Sequence, residues 1–342
     1  MTAFQAIVAS RRRHGRNYAV LTAILVALVI AIFALTLSLG QSFTPPDEVL
    51  RVLLGEEVKG ASFAVGQLRL PRAVLAILAG LSFGLAGVAF QIMLRNPLAS
   101  PDIIGISSGA SAAAVFAIVV LSLKGVAVSI FAVSGGLVVA LLVYALSFRN
   151  GAAGTRLILV GIGVSAMLES VVAYILSQAA DWNLQETMRW LTGSLNGAQL
   201  GQAVPLLAAL VLFGGLLLNQ ARGLDLLRLG DDTAAALGVR VGRTRIAVII
   251  AAVGLIATAT AVTGPIAFIA FLSGPIAARI VGSRGSLLIP SALVGALLVL
   301  AGDYAGQFLL PTRYPVGVVT GVLGAPYLIY LIVRANRSGS SL

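Results

Sequence analysis

Tyr18 to Leu39 reads YAVLTAILVALVIAIFALTLSL, 22 residues without a charge. At about 1.5 Å per residue, a helix of this length crosses the roughly 30 Å hydrocarbon core of a bilayer. Arg11, Arg12, Arg13 and Arg16 precede it, as basic residues also precede a secretory signal. The run exceeds the roughly 7–15 apolar residues of such a signal, and no persuasive small-x-small cleavage site accompanies it. We read it as an uncleaved first span behind a polar N-terminal tail, residues 1–17.

The rest of the chain repeats the pattern. Of 342 residues, 59% are apolar and 10% charged, whereas soluble domains carry about 25% charged residues. Cysteine is absent and His14 is the only histidine, which excludes a disulfide scaffold and a Cys/His zinc site. Further apolar runs at about 71–93, 103–122, 126–148, 155–178, 199–218, 244–263, 265–281, 287–310 and 316–333 bring the expected number of spans to ten. The expected fold is therefore an all-α polytopic membrane protein, with the membrane domain at 18–334 and a short tail at 335–342. Between the first two spans, Pro45-Pro46-Asp47-Glu48 predicts a short helix capped by Thr44. Gly80, Gly84 and Gly87 predict a closely packed small face on the second span.

The 23 Lys and Arg outnumber the 12 Asp and Glu by 11. With ten spans and a cytoplasmic N-terminus, 16 of the 23 fall on the cytoplasmic side, among them Arg95, Arg149, Arg156, Arg245 and Arg279. This bias predicts that both termini are cytoplasmic. Arg51, Lys59, Arg69, Arg72, Lys124, Arg189 and Arg313 fall outside, an unusually large remainder. The longest cytoplasmic connection, 219–243, contains Leu-Gly-Asp-Asp-Thr-Ala-Ala-Ala-Leu-Gly at 229–238. Asp231 or Asp232 is a candidate cap, and Gly238 suits a left-handed stop, so a short helix is expected here.

Neither lysine follows a glycine, so a phosphate-binding G-x-x-x-x-G-K-[ST] loop cannot occur, and any ATP-driven work needs a partner's nucleotide site. No hydrolytic or redox constellation assembles, and neither a cofactor nor a nucleic-acid partner is expected. Two carboxylates, Glu169 and Asp303, fall inside spans. Each costs about 2.5–3.5 kcal/mol at mid-bilayer unless it faces protein or water. They read either as an ion relay or as structural groups. The apparent lack of an intramembrane basic partner favours the structural reading.

An ordered set of segments carries a resemblance. It runs Leu68-Arg69-Leu70-Pro71-Arg72, Gly87-x-x-Phe90-Gln91, Arg95-Asn96-Pro97-Leu98-Ala99-x-Pro101, Ser108-Gly109-Ala110 and Trp190-x-x-Gly193-Ser194. Then follow Asp231-Asp232-Thr233-Ala234-x-x-Leu237-Gly238, Gly264-Pro265-Ile266-Ala267-Phe268, Tyr314-Pro315-Val316-Gly317 and Gly324-Ala325-Pro326. In order and spacing these resemble the FecCD-type permeases of ABC importers, which move iron–siderophore complexes, haem or cobalamin. The Gly-Pro-Ile-Ala-Phe run is most similar to the second permease of ferric-enterobactin-type systems.

The resemblance implies a type II ABC importer permease in a bacterial cytoplasmic (inner) membrane. Its partners would be a second permease, identical or different, two cytosolic ATPases and a substrate-binding protein. It assigns coupling to the ATPase to Asp231, Asp232, Thr233, Ala234, Leu237 and Gly238, and docking of the binding protein to Arg69 and Arg72. Gln91, Asn96 and Pro97 are gate or kink candidates, with a plain turn as the equal alternative at Asn96-Pro97. The sequence also departs from the family pattern. Ser273-Gly274-Pro275 lacks a common histidine, Gln307 stands where many relatives have Arg, and Arg313 stands where many have Glu. Arg313 is therefore expected to supply the docking charge that Gln307 cannot. The expected function is import of ferric siderophores, with a cobalamin or haem permease or an ion-coupled secondary transporter as the alternatives.

Overall fold

The computed structural model describes residues 3–147, 154–282 and 284–337; Arg149 and residues 338–342 lie outside them. Among the described residues every regular element is helical. Helix α1 (Ala3–Ser38) is continuous, so most of the expected tail is an extension of the first span. Helix α2 (Pro46–Leu53) follows as predicted, but without Thr44 as its cap: the N-cap is Pro45 and the Thr44 hydroxyl accepts a bond from Arg69 instead. The second span enters as a π-helical stretch, Ser62–Arg69, and continues as α3 (Leu70–Leu94), where Pro71 in the first turn has no N–H to leave unpaired.

A 3₁₀ turn at Pro101–Ile104 leads into α4 (Ile106–Val119), then α5 (Val126–Ser147), α6 (Gly154–Ser177) and α7 (Asp181–Leu191). The sixth span is assembled from α8 (Ala203–Ala209), a π turn at Leu210–Gly214, and α9 (Gly215–Asn219). Helices α10 (Ala221–Leu227) and α11 (Asp231–Ala236) form the expected long connection. The chain closes with α12 (Val241–Thr263), α13 (Ile269–Val281), α14 (Leu288–Tyr304) with a π extension at Ala305–Leu309, and α15 (Val316–Arg337). Among the described residues seven helical stretches are long and apolar enough to cross a membrane, and three shorter apolar helices, α4, α13 and α15, complete the expected ten. Helix α7 is the one substantial helix that hydrophobic periodicity did not single out.

The second span is the axis of the bundle, with 83% of its most apolar window buried. Its small face is where predicted. A methyl group on Gly80 or Gly84 would strike the α14 backbone at Gly295 and Ser291, and one on Gly87 would strike the carbonyl of Ala270 in α13. Close backbone approach lets van der Waals packing hold helices together where lipid removes the hydrophobic drive between them. The two ends of the bundle differ. We call the one bearing α10 and α11 the loop end, and the one where α1 stops and α14 runs out the cavity end.

Candidate functional sites at the two ends of the bundle

At the cavity end, the π-helical entry to α3 and the end of α14 bring the predicted arginines together. Arg72 donates from Nη2 to Asp303 Oδ1 at 2.7 Å and from Nε to Oδ2, a two-pronged pair that joins α3 to α14 across 231 residues of chain. Its Nη1 also donates to Asn196 Oδ1 at 2.7 Å. The side chains are 19% and 7% exposed, and the fork geometry of Arg matches a carboxylate. Asp303 thus has the basic partner that it seemed to lack. The pair is invisible to local spacing because the partners lie on different spans.

Arg69 is engaged differently. Its guanidinium donates to the carbonyls of Leu37 and Ser38 at 2.9 and 3.2 Å, and to Ser42 O at 2.7 Å. It thereby satisfies the carbonyls left over where α1 stops. Gly40 permits this, since a β-carbon there would lie 2.6 Å from the guanidinium. Arg69, Arg72 and Arg313 all line one cavity of about 310 Å³, together with Asn196, Asp303 and Gln307. The Gln307 amide nitrogen is buried without a partner, and Arg313 is exposed without a hydrogen bond or ion pair among the described residues.

At the loop end, α11 has two sides. Ala234 is fully buried against the core, and Asp231 receives two bonds from Arg245 Nη2, at 3.0 and 2.8 Å. Arg95 approaches the same carboxylate at 4.0 Å from the end of α3. Asp232, Thr233, Leu237 and Gly238 face away from the bundle, with Leu237 57% exposed. The start of α11 has no side-chain cap; Gly230 occupies the N-cap at φ 105°, and Asp231 serves the ion pair instead of the predicted cap. Gly238 stops the helix at φ 88°, the left-handed conformation expected of it. Two partly buried acids lie outside α11. Burial raises the Asp102 carboxyl above its usual value, against hydrogen bonds from Ser107 and Ser100. Burial raises Asp225 likewise, with Arg228 opposing it.

The three gate or kink candidates separate. Gln91 is buried and donates from Nε2 to the carbonyl of Phe271 at 2.9 Å. That carbonyl would meet the N–H of residue 275 in an unbroken helix, and Pro275 has none. Gln91 therefore patches a proline-made gap in α13. The signal was available in the sequence as a proline four residues after an apolar helical position. Asn96 accepts from the Leu98 N–H at 2.8 Å, and its own carbonyl accepts from Ala99, which builds the turn reading of Asn96-Pro97. Nearby, Arg279 stacks on Tyr327 and Tyr330 at 5.5 and 5.1 Å from the ring centres. Among the described residues no cluster of His, Cys, Asp and Glu could hold a metal ion.

Ten apolar helices, a polar cavity at one end and a short two-sided helix at the other define a multi-pass membrane protein. The chain belongs to the FecCD transport family, whose profile matches residues 27–334. It is 41% identical over 295 residues to the ferric enterobactin transport system permease protein FepG of Escherichia coli K12, covering 85% of this chain and 88% of that one. It is 34% identical over 327 residues to the iron(3+)-hydroxamate import system permease protein FhuG of Bacillus subtilis 168, covering 93% and 97%. Its structure matches that of a metal-chelate type ABC transporter in an inward-facing conformation, with a TM-score of 0.80 at 25% identity, over 92% of this chain and 99% of that one.

Proposed function

We propose that this chain is a permease subunit of an ATP-driven ABC importer that moves ferric-siderophore complexes through a bacterial inner membrane. The observation that carries the reading is similarity over most of the chain to permeases named for ferric enterobactin and ferric hydroxamates. In this reading the loop end and both termini are cytoplasmic, and the cavity end faces the binding protein. The second permease completes the path, and two cytosolic ATPases and the binding protein complete the machine.

The geometry supports a mechanical role for α11. Its outward residues Asp232, Thr233, Leu237 and Gly238 enter a cleft of the ATPase. Its inward residues Asp231 and Ala234 hold the bundle. When ATP closes the ATPase pair, the displacement passes through Asp231 to Arg245 on α12 and Arg95 at the end of α3. Gln91 clips α3 to α13, and Arg72–Asp303 ties α3 to α14, so these helices shift as one body. At the other end, Arg69 and Arg72 set the positive wall of the cavity, and Arg313 offers the unengaged guanidinium to an acidic side chain of the binding protein. Exposed ion pairs of this kind steer docking and fix register more than they add affinity.

Cross-linking tests the assignment of the loop end. The chain has no native cysteine, so Leu237→Cys is its single thiol. In the assembled transporter this thiol is expected to cross-link to the ATPase. Cross-linking to the binding protein instead would invert the proposed orientation.

A further inference from the structure

Helix α6 is the least enclosed span: 6% of its most apolar window is buried, against 83% for the second span and 67% for α12. One edge of it, with Leu157 and Gly161 buried and Val164, Leu168 and Val172 half-buried, meets α4 and α5. Another arc, at successive helical steps, runs Ile162, Ala166, Glu169, Ala173 and Ser177, and all five are exposed. Glu169 makes no hydrogen bond or ion pair among the described residues.

Its depth excludes a surface explanation. At about 1.5 Å per residue, Glu169 stands roughly 20 Å from Arg156 at the loop end of α6 and about 12 Å from Ser177. Both intervals lie within the span, so an ionised carboxylate facing acyl chains there would be costly, and such groups face protein or a water-filled cavity instead. A dry seal against another subunit would in turn need a cation to pair with. Within this chain the helices packed on α6 offer none, since neither α4 nor α5 contains Lys or Arg and the 3₁₀ turn at Pro101–Ile104 adds only Asp102, so such a cation would have to come from that subunit. Ala166, Ser170 and Ala173 around the carboxylate are small and leave it uncovered by this chain.

We infer that Glu169 lines the aqueous transport path and filters cargo by charge. It favours neutral or cationic ferric chelates, such as tris-hydroxamates, over polyanionic ones, such as tris-catecholates, and so sets this chain apart from its relative named for ferric enterobactin. The inference rests on the import reading and narrows its substrate class. A fixed negative charge in a narrow path between low-dielectric walls focuses its field on whatever passes.

The absence of cysteine gives a test that needs no cargo. Ala173→Cys, one turn from Glu169 on the same arc, is treated in the assembled transporter with cationic and anionic methanethiosulfonate reagents of similar size, and labelling of this chain is read by mass spectrometry. The cationic reagent is expected to react about tenfold faster, from two charge units of difference a few ångström from the carboxylate, and adding Glu169→Gln should abolish the preference. Ala166→Cys serves as the second probe if Ala173→Cys does not assemble. A preference that survives Glu169→Gln, or a thiol that no aqueous reagent reaches, would overturn the inference. ATP-driven uptake by the wild-type assembly is measured in parallel. Uptake with no charge preference sinks the filter alone, whereas no ATP-driven uptake of any ferric chelate sinks the import reading.

Discussion

Two ion pairs hold the opposite ends of this bundle, and they are built to different tolerances. At the cavity end, Arg72 and Asp303 are 19% and 7% exposed, and the pair is extended by Asn196. At the loop end, Arg245 and Asp231 are 21% and 39% exposed, and the second arginine, Arg95, is 49% exposed and stands at 4.0 Å. The first is a buried clamp in which every prong is used. The second is a half-wet joint, one carboxylate shared by two helices, able to lengthen without stranding a charge. A clamp suits an end where helices must keep their register, and a joint suits an end that transmits a push.

Breaking the clamp should have the largest effect. Arg72→Ala leaves the Asp303 carboxylate buried without its cation, and removing one partner of such a pair costs about 3–5 kcal/mol. The thermal midpoint of the purified protein in detergent should fall sharply, and Arg72→Lys should recover only part, because an ammonium cannot grip both carboxylate oxygens. Next comes the helix-to-helix clip. Gln91→Leu strands the Phe271 carbonyl and should cost about 1–3 kcal/mol. Pro275→Ala restores an N–H to that carbonyl, so the double variant should regain much of the loss. Equal, additive losses would show that Gln91 does not serve the proline gap.

Breaking the joint should look different. Asp231→Asn should change stability by at most about 1 kcal/mol, because the pair is partly solvated. It should nevertheless uncouple the assembly, so that ATP is hydrolysed with much reduced uptake. A variant that is both unstable and still coupled would reverse the roles given to the two ends. Smallest for the fold is Arg313→Glu. The side chain is exposed and unengaged, so the melting midpoint should stay put while binding-protein affinity and uptake fall. Unchanged affinity and uptake would remove Arg313 from docking.

The membrane fold was legible because twenty-odd apolar residues between arginines have few other solutions. The glycine face of α3 was legible too, since Gly80, Gly84 and Gly87 are useful only where another backbone comes close. The partnering of charges was not. Asp303 finds Arg72 through a helix contact 231 residues away, and no periodicity encodes which span lies beside which. The same blindness made Arg69 look like a free docking charge, although its guanidinium is largely spent on the end of α1. The two-sidedness of α11 was only half legible. Its stop followed from Gly238, but Gly230 rather than Asp231 or Asp232 stands at its N-cap, and the inward turn of Asp231 depends on Arg245 in the next span.

The central claim is that this chain works as a permease driven by a partner's ATP. The most direct test reconstitutes it in proteoliposomes with its second permease, ATPase and binding protein, and follows radio-iron supplied as a ferric siderophore. The account predicts uptake that requires ATP and the binding protein and persists when the proton gradient is collapsed. Uptake that survives ATP depletion but vanishes with the gradient would contradict it and return Glu169 and Asp303 to the role of an ion relay.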